Sequence, residues 1–256
     1  MTHNNPRRGL ETLISSVVLA AMLFSRSPLS GQDATITQPP RGLSRAEIAK
    51  RHSTLYKGYQ TGKNLKQLAA SGSGEIEVSA TVFPGIMGGQ DEDPRHLYPH
   101  WYLRLLGSEA DAVVVGTRKH SSSSLTEGED FIFSDFEMLV EEVIKNNPAA
   151  PIPLGSTIIV TRPGGAMRIS GRVVRAVDGR FEPFKLRHRY VLFVKFVPQT
   201  GAYRAFADWS FELRDSGPLR GARVLAPQPP WGHLESAKDP EAFLTEVRFA
   251  VADSRR

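Results

Sequence analysis

Two histidines four residues apart, beside three carboxylates, are the side chains best equipped for chemistry in this chain: Asp91-Glu92-Asp93-Pro94-Arg95-His96, then His100. Neutral imidazole nitrogens and carboxylate oxygens are ligands for zinc and similar divalent ions, which makes His96, His100 and Asp93 the candidate metal ligands. On a helix the two histidines would share a face. Pro94 and Pro99 interrupt a regular helix there, and no Glu stands between the histidines as in a zincin motif. The competing reading is a solvated acidic loop whose histidines stack near Trp101 and Tyr102.

Other reactive residue types lack a pattern. His120 beside Ser121 to Ser124, or His188 with Asp208, supplies the ingredients of a Ser-His-acid triad. Adjacency in sequence carries no geometry, however, and no Gly-x-Ser-x-Gly elbow is present. The serines read as a loop between strands. Arg162-Pro163-Gly164-Gly165 lacks the GxxxxGK[ST] spacing of a phosphate cradle, so its glycines are expected to turn a tight hairpin. The run Lys185 to Lys195 (KLRHRYVLFVK) has the aromatic and basic residues of a single-strand binder. Its alternation of Tyr190, Leu192 and Val194 with Val191 and Phe193 fits a core strand instead. Tyr203, Trp209, Phe211 and Trp231 could line a sugar-binding surface or lie in the core. No catalytic set is complete, and no cofactor motif is found.

Composition narrows the classes further. The 256 residues carry 40% hydrophobic and 23% charged residues, a globular balance. Lys and Arg number 32 against 27 Asp and Glu, but they are interspersed with acids rather than gathered in the patch a polyanion binder needs. Nucleic acid is therefore not an expected partner. There is no cysteine, which removes disulfides, thiolate nucleophiles, Cys-ligated zinc and thiol-linked lipid.

The N-terminus reads as an address. Arg7 and Arg8 precede Leu13 to Phe24, an apolar run of twelve residues, and Pro28-Leu29-Ser30-Gly31 follows. This is the charged, apolar and small-residue order of a secretory signal. A helix of that length spans roughly 18 Å, short of the roughly 30 Å hydrocarbon layer. Residues 1–31 are expected to be a signal peptide, cleaved after Gly31, and the rest secreted or periplasmic. Membrane attachment is expected only if the segment stays uncleaved.

The elements that must position any site come next. Residues 32–43 form a polar linker. Ser44 with Glu47 makes a capping box for a helix from Arg45 to about Tyr56, and a shorter helix spans about Asn64 to Ala70. Ile48, Leu55, Leu65 and Leu68 are the expected buried contacts of this helical segment, 44–74. From Glu75 the period becomes two, beginning a β region over 75–226. Trp101 to Leu106 is ambiguous between helix and strand. Residues 131–145 read as a strand with a bulge near Ser134-Asp135, where the apolar parity changes, against a competing helix. Strands follow at 156–162, 166–177, 189–197, 203–213 and near 222–225. In 227–256 a proline-rich connection leads to a helix capped by Asp239 and Pro240, whose Phe243, Leu244, Val247 and Val251 should dock on the strands.

From Ala112 to Phe211, the segments DAVVVG, VEEVIK, GSTIIVTRPGG and RYVLFV run in an order similar to OB-fold barrels of the netrin-like kind and to exported bacterial proteins with such segments. That resemblance implies a mainly β fold: a small antiparallel, OB-like barrel flanked by N-terminal helices and a C-terminal docking helix. Netrin-like metalloprotease inhibitors chelate metal through an N-terminal cysteine, which is absent here, so no inhibitory residue carries over. The expectation is an exported, non-catalytic binding or interaction module for a protein or glycan. The alternative is a secreted hydrolase using metal through the Asp91 to His100 loop.

Overall fold

Ser44 opens the first helix as its capping box requires: its side chain accepts from the Glu47 amide, and the Glu47 carboxylate takes the Ser44 amide at 2.7 Å. The computed structural model describes residues 43–82, 99–179, 182–214, 221–224 and 239–254. Helix α1 (Arg45–Leu55) leads into β1 (Tyr59–Gln60), α2 (Leu65–Ser71), β2 (Ile76–Ser79) and β3 (Thr81–Val82). Beyond 83–98 come α3 (Pro99–Glu109), β4 (Ala112–Leu125) and β5 (Ile132–Lys145), then β6 (Thr157–Pro163), β7 (Gly165–Ile169) and β8 (Arg172–Val177). Strands β9 (Arg189–Val197), β10 (Ala202–Arg214) and β11 (Gly221–Val224) precede the last helix, α4 (Pro240–Asp253).

The fold is mainly β. Its largest sheet runs β11-β10-β6-β5-β4-β9, and β9 also pairs with β10, so five strands form a ring of pairings. One junction, β10 with β6, is parallel, which corrects the expectation of a wholly antiparallel arrangement. The reason is arithmetic: neighbours cannot all run in opposite directions around a ring with an odd number of strands. A separate sheet, β2-β8-β7, holds the remaining longer strands, and β1 pairs with β3. The β7–β8 turn is two residues, Ser170 and Gly171, both at positive φ (50° and 81°), as tight hairpins require.

Three apolar layers explain the sequence pattern. Inside the ring lie Ala112, Val114, Met138, Val160, Leu192 and Val194. On its outer side Val113, Val115, Val191 and Phe193 are covered by α3 and α4. Strands β4 and β9 read as continuous apolar runs because both faces are buried. The residues expected to dock α4 do so: Phe243, Leu244, Val247 and Val251 are all buried there. Under α1 and α2 sits a third layer containing Tyr56, Leu65, Phe131 and Phe133. Ile48 and Leu65 are buried as expected, whereas Leu55 and Leu68 are only partly covered.

Three local expectations change. Residues 132–145 are a strand, but no bulge occurs at Ser134-Asp135, where pairing to β6 is regular. The parity change arises because α1 covers Phe133 on one face while Phe136 and Met138 point into the ring. Trp101 to Leu106 is helical, and Pro99 supplies its first residue, where a missing N–H costs nothing. Ser121 to Ser124 are not a loop; they are strand β4, paired with Phe136 to Phe133. Among the described residues, no helix is long and apolar enough to cross a membrane.

Candidate functional site

The chain leaves the ring at Pro163-Gly164, and this exit builds a cleft. Strands β6 and β7 do not pair with each other, so the expected hairpin is instead a passage from one sheet to the other. A Cβ on Gly165 would lie 2.2 Å from Ser134 Oγ and 2.8 Å from Ser123 Oγ, and Gly165 adopts φ +152°. Glycine is needed here for close approach of backbone to side chain, with turn-making secondary.

The result is a cavity of about 320 Å³, large enough for a small molecule. Arg118, Ser121 and Ser123 from β4 line one side, with Ser134 and Phe136 from β5. The register between β4 and β5 slips by one residue between Arg118 and His120. That slip keeps Arg118 on the same face as Ser121 and Ser123, opposite Met138, Phe136 and Ser134 respectively. Arg162 closes the floor from β6, while Arg175, Asp178 and Glu182 stand on the other side.

Arg162 is 1% exposed, and its guanidinium lies 4.2 Å from the centre of the Phe184 ring. Burial pushes its pKa down to about 10, while the fields of Tyr56, Tyr190, Asp178 and Glu182 favour the charge. It remains a cation at neutral pH. Arg175 pairs outward with Glu75 (3.3 Å) and Glu77 (3.9 Å). Arg118 differs from both: its guanidinium donates to the Phe184 carbonyl and to Ser121 Oγ (2.6 Å) and lies 5.2 Å from the Phe136 ring centre. Among the described residues, none of its contacts is a carboxylate. Burial holds its pKa below the usual arginine value, against a smaller opposing effect of the nearby Tyr190 phenol.

The hydroxyls have assignable directions. Ser134 Oγ donates to the Gly164 carbonyl at 2.8 Å, so in its 2.9 Å contact with Ser123 it accepts. Ser123 thereby presents lone pairs to the cleft. Ser121 accepts from Arg118 and keeps its own proton to give. The cleft thus has a donating end, Arg118 with Ser121, and an accepting position at Ser123.

The candidates expected from sequence lie elsewhere. Asp93 and His96 fall outside the described residues. His100 is the second residue of α3, 3.9 Å from Asp253, with its ring tilted against that of Phe249 at 5.2 Å between centres. Among the described residues, no group of three His, Asp or Glu side chains is arranged to hold a metal. His120 and Ser121 are consecutive on a strand and so face opposite sides, which rules out their pairing. His188 bonds Glu212 at 2.7 Å. Tyr203 and Phe211 are buried in the apolar layers, Trp209 packs at the edge of the outer one, and Trp231 is outside the described residues.

One constellation went unread in the sequence. His52 Nδ1 lies 2.8 Å from Asp135 Oδ1, and its Nε2 lies 2.8 Å from Thr200 Oγ1. The line acid–imidazole–hydroxyl has a triad's order, yet His52 is fully buried and Thr200 is 1% exposed. No substrate can reach the hydroxyl, so the trio ties α1 to the ring. Its signal was present: Ile48, His52 and Tyr56 are spaced by four, which places a polar residue on the buried stripe of α1.

No protein-family model and no curated protein sequence matches the chain.

Proposed function

We propose that this protein is an exported, non-catalytic binding module whose five-strand ring is an OB-like barrel and whose ligand enters the cleft beside Gly165. The observation that carries the reading is the cleft itself: about 320 Å³, with guanidinium and hydroxyl groups converging on an aromatic wall at Phe136. Its serines are engaged with one another, with Arg118 and with a carbonyl, and among the described residues no histidine lines it. A hydroxyl without a base is a poor nucleophile, which favours binding over acyl transfer. The barrel reading is supported by strand order: three strands meander, two return, and the fifth lies parallel to the third. Export rests on the Arg7 to Gly31 segment.

The test is equilibrium binding of a small-metabolite library, including monosaccharides, to the purified protein and to Ala166→Phe. Ala166 is exposed and lines the cleft, so the larger side chain fills its mouth without disturbing the core. At least one compound should bind the parent and be lost in the variant. Binding by nothing, or binding unaffected by the variant, would remove the proposal. Stoichiometric zinc in the purified protein, lost in His96→Ala, would favour the metal-dependent hydrolase. Sequencing the N-terminus of the exported product tests the signal: an intact Met1 or Thr2 end would make the segment a tether.

A further inference from the structure

Resting on that reading, we infer that the ligand of the cleft is a small organic acid that also carries hydroxyl groups, its carboxylate seated on Arg118 and Ser121. Five charged side chains line the cleft, and four have opposite charges to answer them. Arg175 is paired with Glu75 and Glu77, while Asp178 and Glu182 act on Arg162. Among the described residues, Arg118 alone of the three arginines has only neutral contacts, the Phe184 carbonyl, the Ser121 hydroxyl and the Phe136 ring. A half-buried cation without a counter-charge is unfavourable in the empty site and becomes favourable when an anion arrives.

Beside it the Ser121 proton is uncommitted, since Ser121 only accepts from Arg118. Guanidinium and hydroxyl together make a two-donor seat for one carboxylate. The hydroxyl requirement comes from the opposite polarity of the neighbouring positions. Ser123 offers lone pairs, because its proton goes to Ser134, whose own proton goes to the Gly164 carbonyl. A plain fatty acid would leave the Ser123 lone pairs facing methylenes, and a second negative charge would lie near the Asp178 and Glu182 carboxylates. A sugar acid places one carboxylate and several hydroxyls within a volume the cleft can hold.

The experiment is isothermal titration calorimetry with D-glucuronate, D-galacturonate and D-glycerate, using D-glucose as the uncharged probe and propionate as the acid without hydroxyls. At least one of the three hydroxy acids should bind, with glucose and propionate each weaker by about tenfold or more. Arg118→Gln should weaken that acid by about tenfold to a hundredfold, and Ser121→Ala by a smaller factor. Ser121→Ala is a minor change on a strand, so it carries the test should the arginine variant fold poorly. Failure of all three acids overturns the inference, as does binding of glucose or propionate with equal affinity, or retention of affinity in both variants. If glucose binds and Ala166→Phe abolishes it, the binding-module reading stands while the acid inference falls. If neither the acids nor any library compound binds, both fall.

Discussion

Glu212 on β10 and Arg118 on β4 flank the same strand, β9, and are buried in opposite ways. The Glu212 carboxylate is 1% exposed and meets Lys185 at 3.3 Å, His188 at 2.7 Å and Arg214 at 3.1 Å. Among the described residues, Arg118 meets no carboxylate. The first is a charge whose removal from water is offset by the protein itself; under the proposal above, the second is completed by the ligand. Buried ionic groups retained for architecture are satisfied internally, whereas groups retained for binding are left for the ligand to complete. Breaking each in turn should give opposite results, and that contrast is what separates scaffold from site in this molecule.

The largest effect is expected at Glu212. Glu212→Ala removes the one anion and leaves Lys185 and Arg214, two cations, crowded beside a half-exposed histidine that has lost its acceptor. A loss of about 3–5 kcal/mol is expected, read as a lower urea midpoint with an unchanged slope. The acid branch sharpens the same point. Burial alone would raise the Glu212 carboxyl, but the His188 hydrogen bond, the Lys185 charge and the Arg214 bonds outweigh it and hold the pKa below the ordinary value. A carboxylate with a lower pKa folded than unfolded stabilises the fold above its unfolded pKa, and that contribution drains as pH falls through the folded value. Glu212→Gln should therefore be less stable than the parent at neutral pH and lose less on acidification below about pH 4.5. An identical pH slope in both proteins would mean that the cluster contributes nothing through charge.

The second effect belongs to the buried trio. His52→Ala removes both of the imidazole's hydrogen bonds and leaves Asp135 and Thr200 without them beneath α1. A loss of about 2–4 kcal/mol is expected, a fall in Tm of several degrees for a domain of this size. Asn at position 52 should recover part of it, because one amide can still serve Asp135. Unchanged stability in His52→Ala would show that the trio does not tie α1 to the ring.

How far these groups were legible in the sequence follows from how local their causes are. The capping box at Ser44, the Asp239-Pro240 helix start and the core strand β9 depend on residues within a few positions, and each forms as expected. The cleft depends on three things without a local signature: the register slip at Lys119, the closure of β9 onto β10, and the passage of Gly165 beneath Ser123 and Ser134. Arg162-Pro163-Gly164-Gly165 reads as a turn because two glycines after a proline are a turn signal. Only the distance from Gly165 to the two serines, which lie some thirty to forty residues earlier in the chain, shows that close approach is the reason for glycine. Charge complementarity is equally nonlocal. Glu212 and Arg118 look alike in sequence, each a charge within an alternating strand, and they differ only in what the neighbouring strands bring beside them.

The smallest effect is expected at Arg118, and it bears most directly on the comparison. Arg118→Gln loses hydrogen bonds to the Phe184 carbonyl and Ser121, together with the contact over Phe136. Against that, it relieves the folded state of a half-buried cation that burial already pushes toward the neutral form. The two terms are of similar size and opposite sign, so unfolding free energy in the absence of ligand should change by no more than about 1 kcal/mol. Adding a hydroxy acid at the same concentration should then stabilise the parent more than the variant, because only the parent gains the missing counter-charge on binding. A destabilisation of Arg118→Gln as large as that of Glu212→Ala would erase the distinction, placing Arg118 among the groups that hold the ring together.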